Sequence, residues 1–147
     1  MMDDLYALGQ AVLAAQPFSV LLGTQLIVFE PGRAELALPL KPEFAQQAGY
    51  IHGGVISYLV DNALTFVGGS VLGVDVLTAE FKVNYLKPAQ GERLIARASV
   101  ASASRRQAVC RCDIVFERAG VEYLCATALG TIVGRSRDSL EDQAKLL

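Results

Sequence analysis

His52 is the only histidine in the chain, and it opens the run His52-Gly53-Gly54. Nine residues further on, Asp61 is the lone acid in a mostly apolar stretch that continues to Gly69. No lysine or arginine occurs between Lys41 and Lys82, so no cation close in sequence neutralises that carboxylate. Taking a carboxylate out of water is costly unless it is paired, hydrogen-bonded or protonated. On a helix, Ser57, Asp61 and Thr65 share one face. Two glycines at a helix start offer unpaired backbone N–H groups and the positive end of the dipole, with no Cβ to hold a ligand away. These residue types suit attack on a carbonyl, with N–H groups to hold the developing oxyanion and an acid to attack or to activate water. His52 itself reads as a general base, a metal ligand or a residue that fixes or caps the loop. With one histidine and no cysteine cluster beside it, no metal site is expected.

The elements that must hold these residues follow from pattern and punctuation. Leu5, Leu8, Val12 and Leu13 are spaced for a helix from Asp3 to about Ala15, ended by Pro17. From Ser19 to Leu40 the pattern is strand-like, with Glu30-Pro31-Gly32 as the turn of a hairpin. After an irregular stretch, residues from Gly54 to about Gly68 are apolar nearly all round, as in a buried helix, with Gly68-Gly69 as its expected end. Four strands are expected at about Val76 to Leu86, Arg93 to Ala101, Gln107 to Phe116 and Val121 to Val133. Their short connections favour antiparallel neighbours. A polar tail follows Gly134, with a short helix at Ser139 to Leu146. The expected architecture is α+β, one antiparallel sheet around a central helix, in a single domain spanning 1–147. Such a sheet leaves edges and an apolar face uncovered, so a homodimer or a dimer of dimers is expected.

Composition narrows the class. The chain has 147 residues, 52% of them hydrophobic and 19% charged, which excludes disorder. A formal charge of -2 offers no electrostatic case for nucleic acid. No run approaches the roughly 18 apolar residues of a membrane span, and the acidic start at Asp3-Asp4 is not a signal peptide. Cys110, Cys112 and Cys125 read as reduced thiols packed in strands, which places the protein in the cytoplasm.

Laid out in this order, hairpin, loop, His-Gly-Gly, central helix and antiparallel strands resemble the hotdog-fold acyl-CoA thioesterases, and most closely their PaaI-like branch. The resemblance covers roughly residues 19–134. It is carried by the run from Gln46 through His52-Gly53-Gly54 to Asp61-Asn62-Ala63, and by Asn84-Tyr85-Leu86-Lys87-Pro88-Ala89. It implies hydrolysis of an acyl-CoA with no cofactor, at sites that join the His-Gly-Gly loop of one subunit to the acid of its neighbour. By position, Asp61 is the nucleophile or the general base, and the Gly53 N–H is the oxyanion donor. His52 orients the loop. Thr65 matches a hydroxyl that places water, although an ordinary back-bonding helix threonine explains it as well. Gln46 departs from the asparagine of many PaaI-like enzymes and resembles the hydroxybenzoyl and dihydroxynaphthoyl thioesterases, which generally carry glutamate where this chain has Asp61. Its amide can still donate to the thioester oxygen, but the acyl group is left open between aromatic and short or medium chains. For the CoA phosphates the candidates are Lys87, Arg105 and Arg106, with Asn84 and Gly54 beside them; a solvated turn explains the same three cations almost equally well. The same fold also supports hydratases or dehydratases acting on enoyl thioesters, and proteins that bind acyl-CoA without turnover.

Overall fold

The computed structural model describes residues 2–135, so the helix expected at Ser139 to Leu146 lies outside the described residues. Two helices, α1 (Met2–Ala14) and α2 (Pro17–Leu22), precede the hairpin β1 (Gln25–Glu30) and β2 (Arg33–Pro39). The long helix α3 (Gly53–Leu72) follows, then β3 (Val76–Tyr85), β4 (Arg93–Ala103), β5 (Gln107–Arg118) and β6 (Val121–Gly134). All strand pairs are antiparallel, and the six-stranded sheet has the order β1-β2-β4-β5-β6-β3. The sheet therefore has β1 and β3 as its free edges.

Alternation along the strands separates the two faces of this sheet. Leu36 and Leu38 of β2, Leu94 and Ala96 of β4, and Cys110, Cys112 and Ile114 of β5 are sealed from solvent on the face that receives α3. Arg97, Arg111 and Asp113 are exposed between them, and Arg97 bridges Glu35 and Glu122.

Three expectations are corrected. Residues 17–22 form helix α2 where a strand was expected from Ser19. A six-residue apolar run cannot declare its period, and here Pro17 sits in the first turn while Gly23, at φ 89°, ends the helix with its N–H on the Ser19 carbonyl. Ser19 is buried in a polar knot: its hydroxyl donates to Gln16 Oε1 (2.6 Å) and accepts from Tyr58 Oη (2.6 Å) and Asn62 Nδ2 (3.2 Å). That knot fastens α2 to α3 and explains Asn62 inside an apolar helix.

Second, Gly68-Gly69 does not end α3, which runs on to Leu72. A Cβ at Gly68 would meet Ile132 of β6 at 2.6 Å, so this glycine permits close contact between helix and sheet. Third, α3 is long and apolar enough by length and composition to span a membrane. Its buried face, including Leu59, Val60, Ala63, Leu64 and Val67, instead makes it the core helix of this fold.

Candidate active site

His52 caps α3. Its Nδ1 accepts the Gly54 N–H (2.8 Å) and its carbonyl accepts the Val55 N–H (3.0 Å). An accepting Nδ1 places the ring proton on Nε2. With those two donors satisfied, the Gly53 N–H remains the open one of the first turn, since helix starts leave their first N–H groups without intrahelical partners. Gly54, a candidate for CoA contact, has its N–H committed to this cap.

The preceding loop is closed on itself. Gln46 exchanges backbone bonds with Gly49 and Tyr50, its Oε1 accepts from the Ala48 N–H (2.5 Å), and Gly49 takes φ 90°. Backbone bonds from His52 to Phe44 and from Ile51 to Ala89 stitch the loop to the chain on both sides. With its oxygen engaged, Gln46 keeps its Nε2 as the donor on offer. It lines a cleft of about 390 Å3 together with Tyr50, Gly53, Ile56, Tyr85 and Lys87. The Lys87 Nζ lies 5.3 Å over the Tyr123 ring.

Asp61 lies two turns further along α3, half-buried. Its Oδ1 accepts from Thr78 Oγ1 of β3 (2.6 Å). Thr65 Oγ1 stands 2.8 Å from the Asp61 carbonyl and 3.0 Å from Thr78 Oγ1. Each hydroxyl has one proton. With Thr78 donating to the carboxylate, Thr65 can donate to the Asp61 carbonyl or to Thr78. With its proton on the Asp61 carbonyl, Thr65 back-bonds as an ordinary helix threonine does, and its oxygen lies against the Thr78 hydroxyl that holds Asp61.

Thr78 is not among the residues expected at the site and Tyr85 enters only through the strand-end run, yet both meet the polar stripe of α3. Tyr85 Oη contacts Ser57 Oγ (2.5 Å) and donates to the Gly53 carbonyl (3.0 Å). Simple alternation would put residues 78 and 85 on opposite faces of β3. A bulge between Thr78 and Glu80 shifts the register, with Thr78 opposite Ile132 and Glu80 opposite Thr131. After it Phe81, Val83 and Tyr85 join Val76 and Thr78 on the helix side. The signal is hidden because no residue in the strand announces the bulge.

The remaining candidates are dispersed. Arg105 and Arg106 line a cleft with Leu72, Gly73, Asp75 and Arg135, at the C-terminal end of α3. Over the length of the helix they stand about 30 Å from Gly53. Asn84 faces the outer side of the sheet, in a depression shared with Lys82, Arg97 and Arg111. Within one protomer, only Lys87 of the expected CoA cations lies with the His-Gly-Gly loop. The three cysteines are free and buried beneath α3. Burial pushes the thiols of Cys110 and Cys125 up to about 11 and that of Cys112 up to about 12, so none is a nucleophile near neutrality.

Comparison with known proteins gives the family and the fold. A family model described as Thioesterase superfamily matches residues 48–124. YigI of Escherichia coli K12, a medium/long-chain acyl-CoA thioesterase, is 30% identical over 125 residues, 72% of this chain and 79% of YigI. The crystal structure of a thioesterase family protein from Silicibacter pomeroyi aligns with a TM-score of 0.81 at 36% identity, over 84% of this chain and 93% of that one. The PaaI protein of the Escherichia coli phenylacetic acid degradation operon aligns with a TM-score of 0.82 over 92% and 96% of the two chains. At 18% identity that last likeness is one of fold alone.

Proposed function

This chain belongs to the thioesterase superfamily, with the hotdog fold of that family, and we propose that it hydrolyses acyl-CoA thioesters at a site completed only by two protomers. The observation that carries the proposal is a separation. Gly53 and Asp61 are eight residues apart on one straight helix, which is about 12 Å. An oxyanion donor and an attacking carboxylate or its water must both stand about 3 Å from the same carbonyl group. One protomer cannot bring its own pair together.

The free edge of β3 supplies the remedy. Antiparallel pairing of this edge with its copy places two α3 helices side by side and pointing in opposite directions, as a two-fold interface requires. Gly53 of each protomer then approaches the partner's Asp61. The Gly53 N–H and the dipole of α3 polarise the thioester carbonyl, helped by Gln46 Nε2. His52 acts through the cap that holds this N–H in place. Asp61, oriented by Thr78, attacks the carbonyl carbon directly or removes a proton from an attacking water. Either route adds one water overall and releases the carboxylic acid and the CoA thiol. Incorporation of solvent oxygen into the Asp61 carboxylate during a single turnover marks direct attack. Lys87 stands at the cleft mouth as a cation for a CoA phosphate.

Thiol release from a panel of acyl-CoAs tests the activity. Turnover by the wild type and its loss, by about 10²-fold or more, in Asp61→Asn is the expected result. Equal turnover by the two proteins removes Asp61 from the reaction. Co-expression of Asp61→Asn with Gly53→Val tests the shared site. Each variant alone is inactive, whereas mixed dimers regain one intact site. Absence of any recovery in dimers shown to be mixed refutes the shared arrangement.

A further inference from the structure

We infer that the acyl chain of the substrate is a linear, medium-length alkyl group lodged between α1 and the C-terminal half of α3, with Gly69 marking the end of its path. This inference rests on the role given to Asp61 above. The stripe of Gly53, Ser57, Asp61 and Thr65 continues at the same four-residue spacing to Gly69. Strand β3 runs along it in the opposite direction. Tyr85 meets Gly53 and Ser57, Thr78 meets Asp61 and Thr65, and Val76 lies beside Gly69.

Polarity along this stripe stops at Thr65. Beyond it lies a groove of about 170 Å3, walled by Leu5, Leu8 and Val12 of α1 and by Phe66, Gly69 and Val76. Thr65 belongs both to the groove wall and to the contacts around the carboxylate, so the groove begins where Asp61 ends. Its other polar lining residue, Gln16, already accepts a hydrogen bond from Ser19. Leu8 is 44% exposed and Val12 36% exposed, an apolar surface that an alkyl chain would cover. The α1 wall is held in place, because Tyr6 Oη donates to the Leu26 carbonyl (3.0 Å) and Gly9 lies against the Phe29 ring.

Two adjacent glycines show that the empty space at Gly69 is not a packing need of the fold. A Cβ at Gly68 would strike Ile132 at 2.6 Å, whereas a Cβ at Gly69 would make only an ordinary 3.5 Å contact with Val76. The distance sets the occupant. From Asp61 to Gly69 the helix rises about 12 Å, and an extended chain covers about 3.5 Å in three bonds. With the reacting carbonyl about 3 Å from Asp61, an acyl chain of roughly eight to ten carbons spans the rest of that path.

The test measures kcat/KM for straight-chain acyl-CoAs from acetyl to palmitoyl, and for phenylacetyl-CoA. The wild type is expected to peak at octanoyl or decanoyl. Because each buried methylene is worth several-fold in affinity, Gly69→Leu should lower the decanoyl-to-butyryl ratio about tenfold or more and move the peak to shorter chains. Leu8→Asp, on the exposed opposite wall, should lower the same ratio even if the first variant fails to fold. Calorimetric binding to Asp61→Asn protein gives a readout without turnover: adding Gly69→Leu should weaken decanoyl-CoA and not butyryl-CoA. An unchanged ratio in folded variants, or a wild-type preference for phenylacetyl-CoA, overturns the inference and leaves the hydrolase reading standing. A wild type that turns over no thioester, yet binds decanoyl-CoA in a Gly69-dependent way, overturns the hydrolase reading and leaves the groove.

Discussion

Asp61 and Asn62 are neighbours in sequence, and α3 turns them towards two polar clusters of opposite character. Asn62 is 8% exposed and points into the knot with Ser19 and Tyr58, and Thr24 adds a hydroxyl 2.7 Å from Tyr58 Oη. That cluster is closed, and it joins α2 to the core helix. Asp61 meets a hydroxyl donor through one oxygen only, from Thr78, beside the unpaired edge strand β3. Buried polar groups that satisfy one another specify structure, and polar groups left incomplete next to a free edge are available to a substrate. The contrast separates a polar residue that closes the fold from one whose carboxylate is left partly open, where the sequence shows only two polar letters in an apolar run.

The largest effects should come from exchanging roles in this pair. Asp61→Asn is expected to reduce turnover about 10²–10⁴-fold while leaving the thermal midpoint near that of the wild type, since the amide oxygen can still accept from Thr78. Asn62→Ala should do the reverse: about 1–3 kcal/mol of stability is lost as Ser19 and Tyr58 lose a donor, with turnover per folded molecule retained. Denaturant titration alongside thiol release checks both, and a large stability loss in Asp61→Asn would erase the distinction.

A smaller effect separates the two glycines. Gly68→Ala forces a methyl into Ile132, so a cost of about 1–3 kcal/mol is expected. Gly69→Ala has room, and the removal of helix-interior glycine should stabilise by up to about 1 kcal/mol. Opposite signs in chemical denaturation would establish that Gly69 is not a packing residue.

The mildest prediction concerns the sealed side of the helix. In the folded protein burial holds the thiols of Cys110 and Cys125 up to about 11 and that of Cys112 up to about 12, against an ordinary value of 9.0. A folded-state pKa raised above the unfolded one favours folding fully below the unfolded value, and that contribution is lost as pH rises through the folded one. Cysteine burial should therefore leave stability flat up to about pH 8.5 and erode it from about pH 9 to about pH 12. Alkylation of native protein at pH 8 should be slow at all three sites, whereas denatured protein reacts at once.

Much of the fold was legible because hydrophobic period is a local property. The four later strands fall within a few residues of their expected bounds, and the buried helix is where its apolar surface demands. The exceptions have physical causes. Residues 17–22 are too few to separate a period of 2 from one of 3.6. Gly68-Gly69 reads as a stop signal unless Ile132 is known to lie against it.

The sequence by itself determined the inventory of the candidate site: one histidine and two glycines at a helix start, and an acid two turns on without a nearby cation. Those follow from residue type and helical spacing, which need no long-range contact. Only the tertiary structure decided which groups they meet. The bulge in β3 brings Thr78 and Tyr85 onto one face, the length of α3 sends Arg105 and Arg106 to its far end, and 12 Å of straight helix keeps Gly53 from Asp61. Register, direction and distance arise from the packing of segments far apart in the chain, and no local pattern of side chains encodes them.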